Sequence, residues 1–154
     1  MAEMMSPIPP EFMQQALALA GKAAAAGEVP VGALVTRGDT VIAAAMNAMR
    51  EGMDPTAHAE IVAIRRAAEI LGNQRLDGCD LWVTLEPCAM CAGAISHARI
   101  ARLYYAASDP KGGGVEHGAR VFSRATCHHR PEIYGGIGEA QAAAQLRDFF
   151  AERR

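Results

Sequence analysis

Apolar positions recur along the chain at two different periods. Over 11–26, Phe12, Ala16, Leu19 and Ala20 fall at helical spacing, and Gly27 follows as a stop. Over 31–36 and 41–46 the apolar residues form short continuous runs instead. They are joined by Arg37-Gly38-Asp39-Thr40, which predicts a hairpin. Asp54-Pro55-Thr56 then opens a second helix, with Thr56 as its expected N-cap. That helix runs through Ile61, Ile64, Ala68 and Leu71, and Gly72 ends it. A strand over 80–85, a helix over 88–97 and a strand over 100–106 follow. The Gly-rich stretch 108–118 reads as a loop. A last helix spans 138–154, with Leu146, Phe149 and Phe150 on its apolar side. Alternating strands and helices argue for an α/β sandwich, and the early hairpin makes its sheet mixed.

Composition places limits on this picture. With 154 residues, 51% hydrophobic and 21% charged, the chain fits one globular domain. That domain is expected over 11–154, behind a flexible tail over 1–10 that carries three prolines. The N-terminus lacks a basic region followed by an apolar run, and no apolar stretch reaches the ~20 residues of a membrane span. A cytoplasmic protein with reduced thiols and no membrane contact is expected. Four cysteines are too few for a disulfide scaffold. The net charge of −2 is unevenly spread: residues 1–96 carry 6 Lys/Arg against 11 Asp/Glu, and residues 97–154 carry 9 against 6. The second part could face an anionic partner, although ordinary solvated charge explains it as simply.

Two short stretches carry chemistry. Thr56-Ala57-His58-Ala59-Glu60 and Thr84-Leu85-Glu86-Pro87-Cys88-Ala89-Met90-Cys91 each open a predicted helix. Cys88 and Cys91, three apart, share a helical face, and the positive end of the helix favours their thiolates. His58 supplies a third ligand. Three protein ligands leave one tetrahedral position for water, as in a catalytic zinc site, and zinc lowers the pKa of that water towards about 7. Glu60 lies about 200° around an ideal helix from His58, yet in a first turn its longer side chain can reach the reacting water. It is the expected proton shuttle. Two other readings stand beside this one. Cys-x-x-Cys after a strand is also a redox motif. A structural zinc knot would recruit a fourth ligand from Cys127, His128 or His129.

Taken together, His-x-Glu followed by Pro-Cys-x-x-Cys is the signature of the zinc deaminases. Beyond it, Glu28-Val29-Pro30-Val31-Gly32-Ala33, Asp54 to Ile61, Val83 to Cys88, Cys91-Ala92-Gly93-Ala94-Ile95 and Asp148-Phe149-Phe150 resemble the bacterial tRNA-specific adenosine deaminases of the cytidine deaminase superfamily. The similarity runs from about residue 28 to the end. It implies a three-layer α/β/α sandwich around a mixed five-stranded sheet. It also implies one Zn2+ per chain, a homodimer, and conversion of adenosine to inosine at the wobble position of a tRNA anticodon stem-loop, with no role for DNA. By the same resemblance Asn47 contacts the purine, Asp109 and Lys111 contact the anticodon backbone, and Phe149 and Phe150 border the substrate groove. Each has a plainer reading: a turn residue for Asn47, a solvated loop for Lys111, core for the phenylalanines. Gly112 to Gly118 departs from the family's usual loop. A deaminase of free cytosine, cytidine, guanine or a nucleotide remains the alternative within the same zinc chemistry.

Overall fold

The computed structural model describes residues 8–153. The element order is α1 (Glu11–Ala25), β1 (Gly32–Arg37), β2 (Thr40–Met46), α2 (Ala59–Leu71), β3 (Asp80–Leu85), α3 (Ala89–Ala98), β4 (Arg102–Ala107), a short 3-10 turn (Val121–Ser123), β5 (Glu132–Tyr134) and α4 (Glu139–Ala151). The expected tail over 1–10 lies outside the described residues up to Pro7. Pro9 and Pro10 are held, their carbonyls accepting from Gln14.

The sheet order is β2-β1-β3-β4-β5. β1 runs antiparallel to both β2 and β3, while β3, β4 and β5 are mutually parallel. The mixed five-stranded sheet agrees with the expectation. β5 itself had no signal in the sequence: three exposed residues are too few to show a period.

Both faces of the sheet are covered. On one face Leu34 and Trp82 meet Met13, Ala16 and Leu17 of α1 and Ala142 of α4. On the other, Ala33, Val35, Leu81 and Val83 meet Ala63 and Ala67 of α2 and Ile95 of α3. Burial from both sides explains why β1 and β3 read as unbroken apolar runs rather than alternating ones. α1 approaches β1 so closely that a Cβ on Gly32 would stand 2.1 Å from the Ala16 carbonyl oxygen.

Three local expectations need correction. On α1 the buried stripe is Met13, Ala16, Leu17, Ala20 and Ala23, with Phe12 and Leu19 only flanking it. On α2 the buried positions are the small Ala59, Ala63 and Ala67 together with Glu60, while Ile61, Ile64, Ala68 and Leu71 are half-buried at the side. Alanines let the helix lie close to the sheet and leave no room for branched chains beneath it. The N-cap of α2 is His58, not Thr56. Thr56 is held outside the helix by Asp54, whose Oδ1 accepts from its N–H and its hydroxyl.

At one end of the sheet four chain segments meet. β3 and β4 end there, β1 begins there and β2 ends there, as the pairings Gly32↔Met46, Ala33↔Val83 and Leu85↔Ala107 require. The outer ends of parallel strands are where α/β folds build their sites.

Candidate active site

Each conspicuous side chain of this end is set by a helix start. His58 and Cys88 are the N-cap residues of α2 and α3, both with extended backbone. Cys91 is the third residue of α3, and Glu60 the second of α2. Because His58 stands outside the helix, the 200° offset of a regular helix does not separate it from Glu60. The extended N-cap geometry turns both residues toward the same cavity.

His58 Nδ1 lies 3.7 Å from Cys88 Sγ and 3.5 Å from Cys91 Sγ. All three donor atoms fall within 4.8 Å of one another, and no other His, Cys, Asp or Glu joins the group among the described residues. Nitrogen and sulfur ligands of a tetrahedral zinc, at about 2.0–2.1 and 2.3 Å from the metal, stand roughly 3.6 Å apart. The group thus has the donor types and the spacing that a zinc ion requires. The neighbouring Cys91 thiol and the His58 imidazole, against the effect of burial, bring Cys88 down to about 4. The hydrogen bond to Cys88 raises His58. Cys91 is pushed up, first by its contact with Cys88 and then by burial.

Glu60 is buried, and burial raises its carboxyl to about 7. A carboxyl in that range takes up and releases protons readily near neutral pH. It lines a cavity of about 270 Å³ with His58, Cys88, Asn47, Asp109, Gly112, Glu86, Leu85, Met49, Val29 and Val31.

The remaining expected residues divide. Asn47 and Asp109 lie in the cavity wall. The Asn47 amide is already engaged: Oδ1 accepts from the Ala59 N–H at 2.8 Å, and Nδ2 donates to the Val29 carbonyl at 3.0 Å. Lys111 is exposed on the loop beyond Asp109 and does not line the cavity. Phe149 is buried, edge-on to Phe150 at 5.3 Å and under the Arg153 guanidinium at 3.5 Å, and does not line the cavity either. Cys127 and His129 gather at Ser96, whose hydroxyl donates to the His129 carbonyl at 2.8 Å. Ser96 is eight residues along α3 from Cys88, about 12 Å at the helical rise.

Sequence reasoning overlooked two buried carboxylates. Glu28 accepts from the N–H groups of Arg50 and Glu51. Glu86 accepts from those of Asp109, Val115, Glu116 and His117, and pairs with His117 Nδ1 at 2.7 Å. Burial alone would raise Glu86, but these donors hold it below the usual carboxylate range. The available signal was a charged residue set inside an apolar stretch: Glu86 between Leu85 and Pro87, and Glu28 before Val29.

Comparison with known proteins agrees with this architecture. The family model described as MafB19-like deaminase matches residues 10–154. The chain is 57% identical over 143 residues to the tRNA-specific adenosine deaminase of Agrobacterium fabrum, covering 93% of this chain and 94% of that one. It is 43% identical over 154 residues to the enzyme of the same name from Haemophilus influenzae, covering 99% and 89%. Among solved structures, one from a study of A-to-I editing by tRNA:A34 deaminases superposes with a TM-score of 0.87 at 56% identity, covering 88% of this chain and 98% of that one. A guanine deaminase from Nitrosomonas europaea superposes with a TM-score of 0.75 at 26% identity, covering 95% and 87%. On sequence and fold alike, the chain belongs to the tRNA-specific adenosine deaminase family.

Proposed function

We propose that the protein deaminates adenosine to inosine hydrolytically at the wobble position of a tRNA anticodon, with one zinc ion held by His58, Cys88 and Cys91. The observation that carries this reading is that the donor group reaches a single small cavity through His58 and Cys88, and the buried Glu60 lines the same cavity. At about 270 Å³ the cavity is smaller than the usual pocket for a drug-sized ligand, which suits one base rather than a whole nucleotide. An anticodon loop offers an unstacked base at little cost.

Zinc supplies the Lewis acidity that makes water a usable nucleophile near neutral pH. Glu60 takes a proton from the attacking water and passes it to the leaving amine. The water oxygen bonds to the purine carbon bearing the amino group, the carbon–nitrogen bond breaks, and ammonia departs. The raised carboxyl of Glu60 fits both halves of that transfer. Asn47 holds the first turn of α2, and thereby Glu60, through its bond to Ala59. One Nδ2 hydrogen remains for the purine, by the count of its donors. Asp109 and Lys111 serve the anticodon backbone from the 108–118 loop, and Phe149 borders the RNA path rather than the base pocket.

The same reading includes a single domain over 11–154, a cytoplasmic location and a homodimer. No described helix is long and apolar enough to cross a membrane. The half-buried strip of Ile61 and Ile64 on α2 and Ala94 on α3 supports self-association. The likeness to guanine deaminase favours a free base as the rival substrate. Incubation of the zinc-loaded protein with an adenosine-containing anticodon stem-loop, and separately with guanine, cytosine and cytidine, decides between them. Inosine in the stem-loop, with binding that weakens as log[salt] rises at a slope of about −0.7 per phosphate contact, supports the proposal. Turnover of free bases at comparable rates, without salt-sensitive RNA binding, overturns it.

A further inference from the structure

The 108–118 loop has almost no regular structure of its own, yet it forms one wall of the cavity through Asp109 and Gly112. Its position is set from below by one side chain. The Glu86 side chain is fully buried. Its Oε1 accepts from the Asp109 N–H at 3.0 Å and meets His117 Nδ1 at 2.7 Å. Its Oε2 accepts from the N–H groups of Val115, Glu116 and His117 at 3.2, 2.9 and 3.1 Å. A buried carboxylate is tolerated only when its acceptor sites are filled, and here both ends of the loop fill them.

Two glycines let the loop sit this low. A Cβ on Gly113 would stand 2.5 Å from Glu86 Oε2 and 2.5 Å from the Asp109 carbonyl oxygen. A Cβ on Gly114 would stand 2.5 Å from the Ala89 nitrogen, and the Gly114 N–H donates to the Pro87 carbonyl at 2.7 Å. The loop is therefore pressed onto the Glu86–Ala89 corner, and that corner carries Cys88. Glu86 also lines the cavity itself.

We infer that Glu86 is a positioning residue for the deamination: one buried carboxylate fixes the substrate-side loop 109–117 to the corner that presents Cys88, so that the base-binding wall is set relative to the donor group. The inference rests on the proposed reading of the cavity as the deaminase site. It separates two roles. Loss of the anchor frees the loop, and with it substrate affinity, while His58, Cys88, Cys91 and Glu60 stay where α2 and α3 hold them.

The test is Glu86→Gln in the full, zinc-loaded chain, with Glu86→Asp beside it. Glutamine keeps the shape but sets an NH2 group against N–H donors, whereas aspartate keeps the charge. Amide hydrogen exchange should quicken over 109–117 and stay parental over α2 and α3, and zinc content should not change. With an adenosine-containing stem-loop, KM should rise about 10- to 100-fold, as for the loss of charge-assisted hydrogen bonds, with kcat far less affected. Glu86→Asp should recover part of the loss. Should Glu86→Gln fail to fold, Glu86→Asp alone must give a milder form of the same pattern. Parental exchange over 109–117, or a fall in kcat and zinc with KM unchanged, overturns the inference. Failure of the parent on the stem-loop would instead count against the proposed substrate, because the exchange result does not depend on it.

Discussion

The two walls of the cavity are tied down by different means. The wall that leads to His58 is the connection from β2 to α2. Glu28, just before β1, holds it by two backbone N–H groups, and the neutral amide of Asn47 spans from the Val29 carbonyl to the Ala59 N–H. The wall opposite is the loop after β4. One carboxylate, two residues before Cys88, holds it by four backbone N–H groups and an imidazole. On the first wall the anchors are shared out and lie far in sequence from the histidine. On the second a single anchor is nearly contiguous with the cysteine. A disturbance of the first wall should therefore spread into stability, and a disturbance of the second into substrate binding.

Removal of a donor atom is the most severe way to break this arrangement, and it should erase the difference between the walls. Cys88→Ala and Cys91→Ala are each expected to lose zinc and turnover together, since two remaining ligands do not complete a tetrahedral site. Metal content by atomic absorption, alongside inosine formation, checks this. A variant with stoichiometric zinc and full turnover would refute the ligand assignment.

Next in size, Glu28→Gln should loosen the first wall. Two charge-assisted, partly buried hydrogen bonds are at stake, worth about 1.5–3 kcal/mol each at most. The expected result is a lower Tm and faster amide exchange over 48–54, with KM for the stem-loop close to parental. A tenfold rise in KM with an unchanged Tm would mean that the two walls do not differ as described.

Asn47→Ala should cost about 1–2 kcal/mol, the size of a lost helix-capping bond, or roughly 2–8 °C in Tm for a chain of this length. Asn47→Asp keeps the acceptor for the Ala59 N–H but loses both Nδ2 hydrogens and sets a carboxylate oxygen against the Val29 carbonyl. It should fall between the two if the cap is the main contribution. An Asp variant no better than Ala would shift the weight to the Val29 bond.

The smallest effect is a matter of pH. The hydroxyl and N–H of Thr56 hold the Asp54 carboxyl below its ordinary range. A depressed folded-state pKa contributes stability that is present above the unfolded value of about 3.9 and is lost as pH falls through the folded value. The Tm of Asp54→Ala should therefore lie slightly below the parent at pH 7 and converge with it on acidification. A gap that widens in acid would contradict the assignment.

The walls also differ in how legible they were. Metal chemistry restricts the usable residue types and their spacing so tightly that His58, Glu60, Cys88 and Cys91 stand out in the sequence; the structure gathers His58, Cys88 and Cys91 into one donor group and sets His58, Cys88 and Glu60 in the wall of one cavity. The sandwich was legible because buried strands and amphipathic helices leave distinct periods. Glu86 and Glu28 were not legible as anchors. Their partners are backbone N–H groups, which any residue supplies, so nothing in the sequence of the 108–118 or 48–53 segments marks the connection. The helix stripes of α1 and α2 were misplaced for a related reason: alanine marks close packing against the sheet, and a count of large apolar residues passes over it. β5 was too short to leave a pattern.

In the proposed reaction, donor group and proton shuttle are separate parts of one site. Zinc content and stem-loop turnover measured on the same preparation of Glu60→Ala test it most directly. The variant should fold, bind one zinc per chain, and lose about 10²–10⁴-fold in turnover, the typical contribution of a general acid–base group. A Glu60→Ala protein that has lost its zinc, or that still forms inosine at the parental rate, would contradict it.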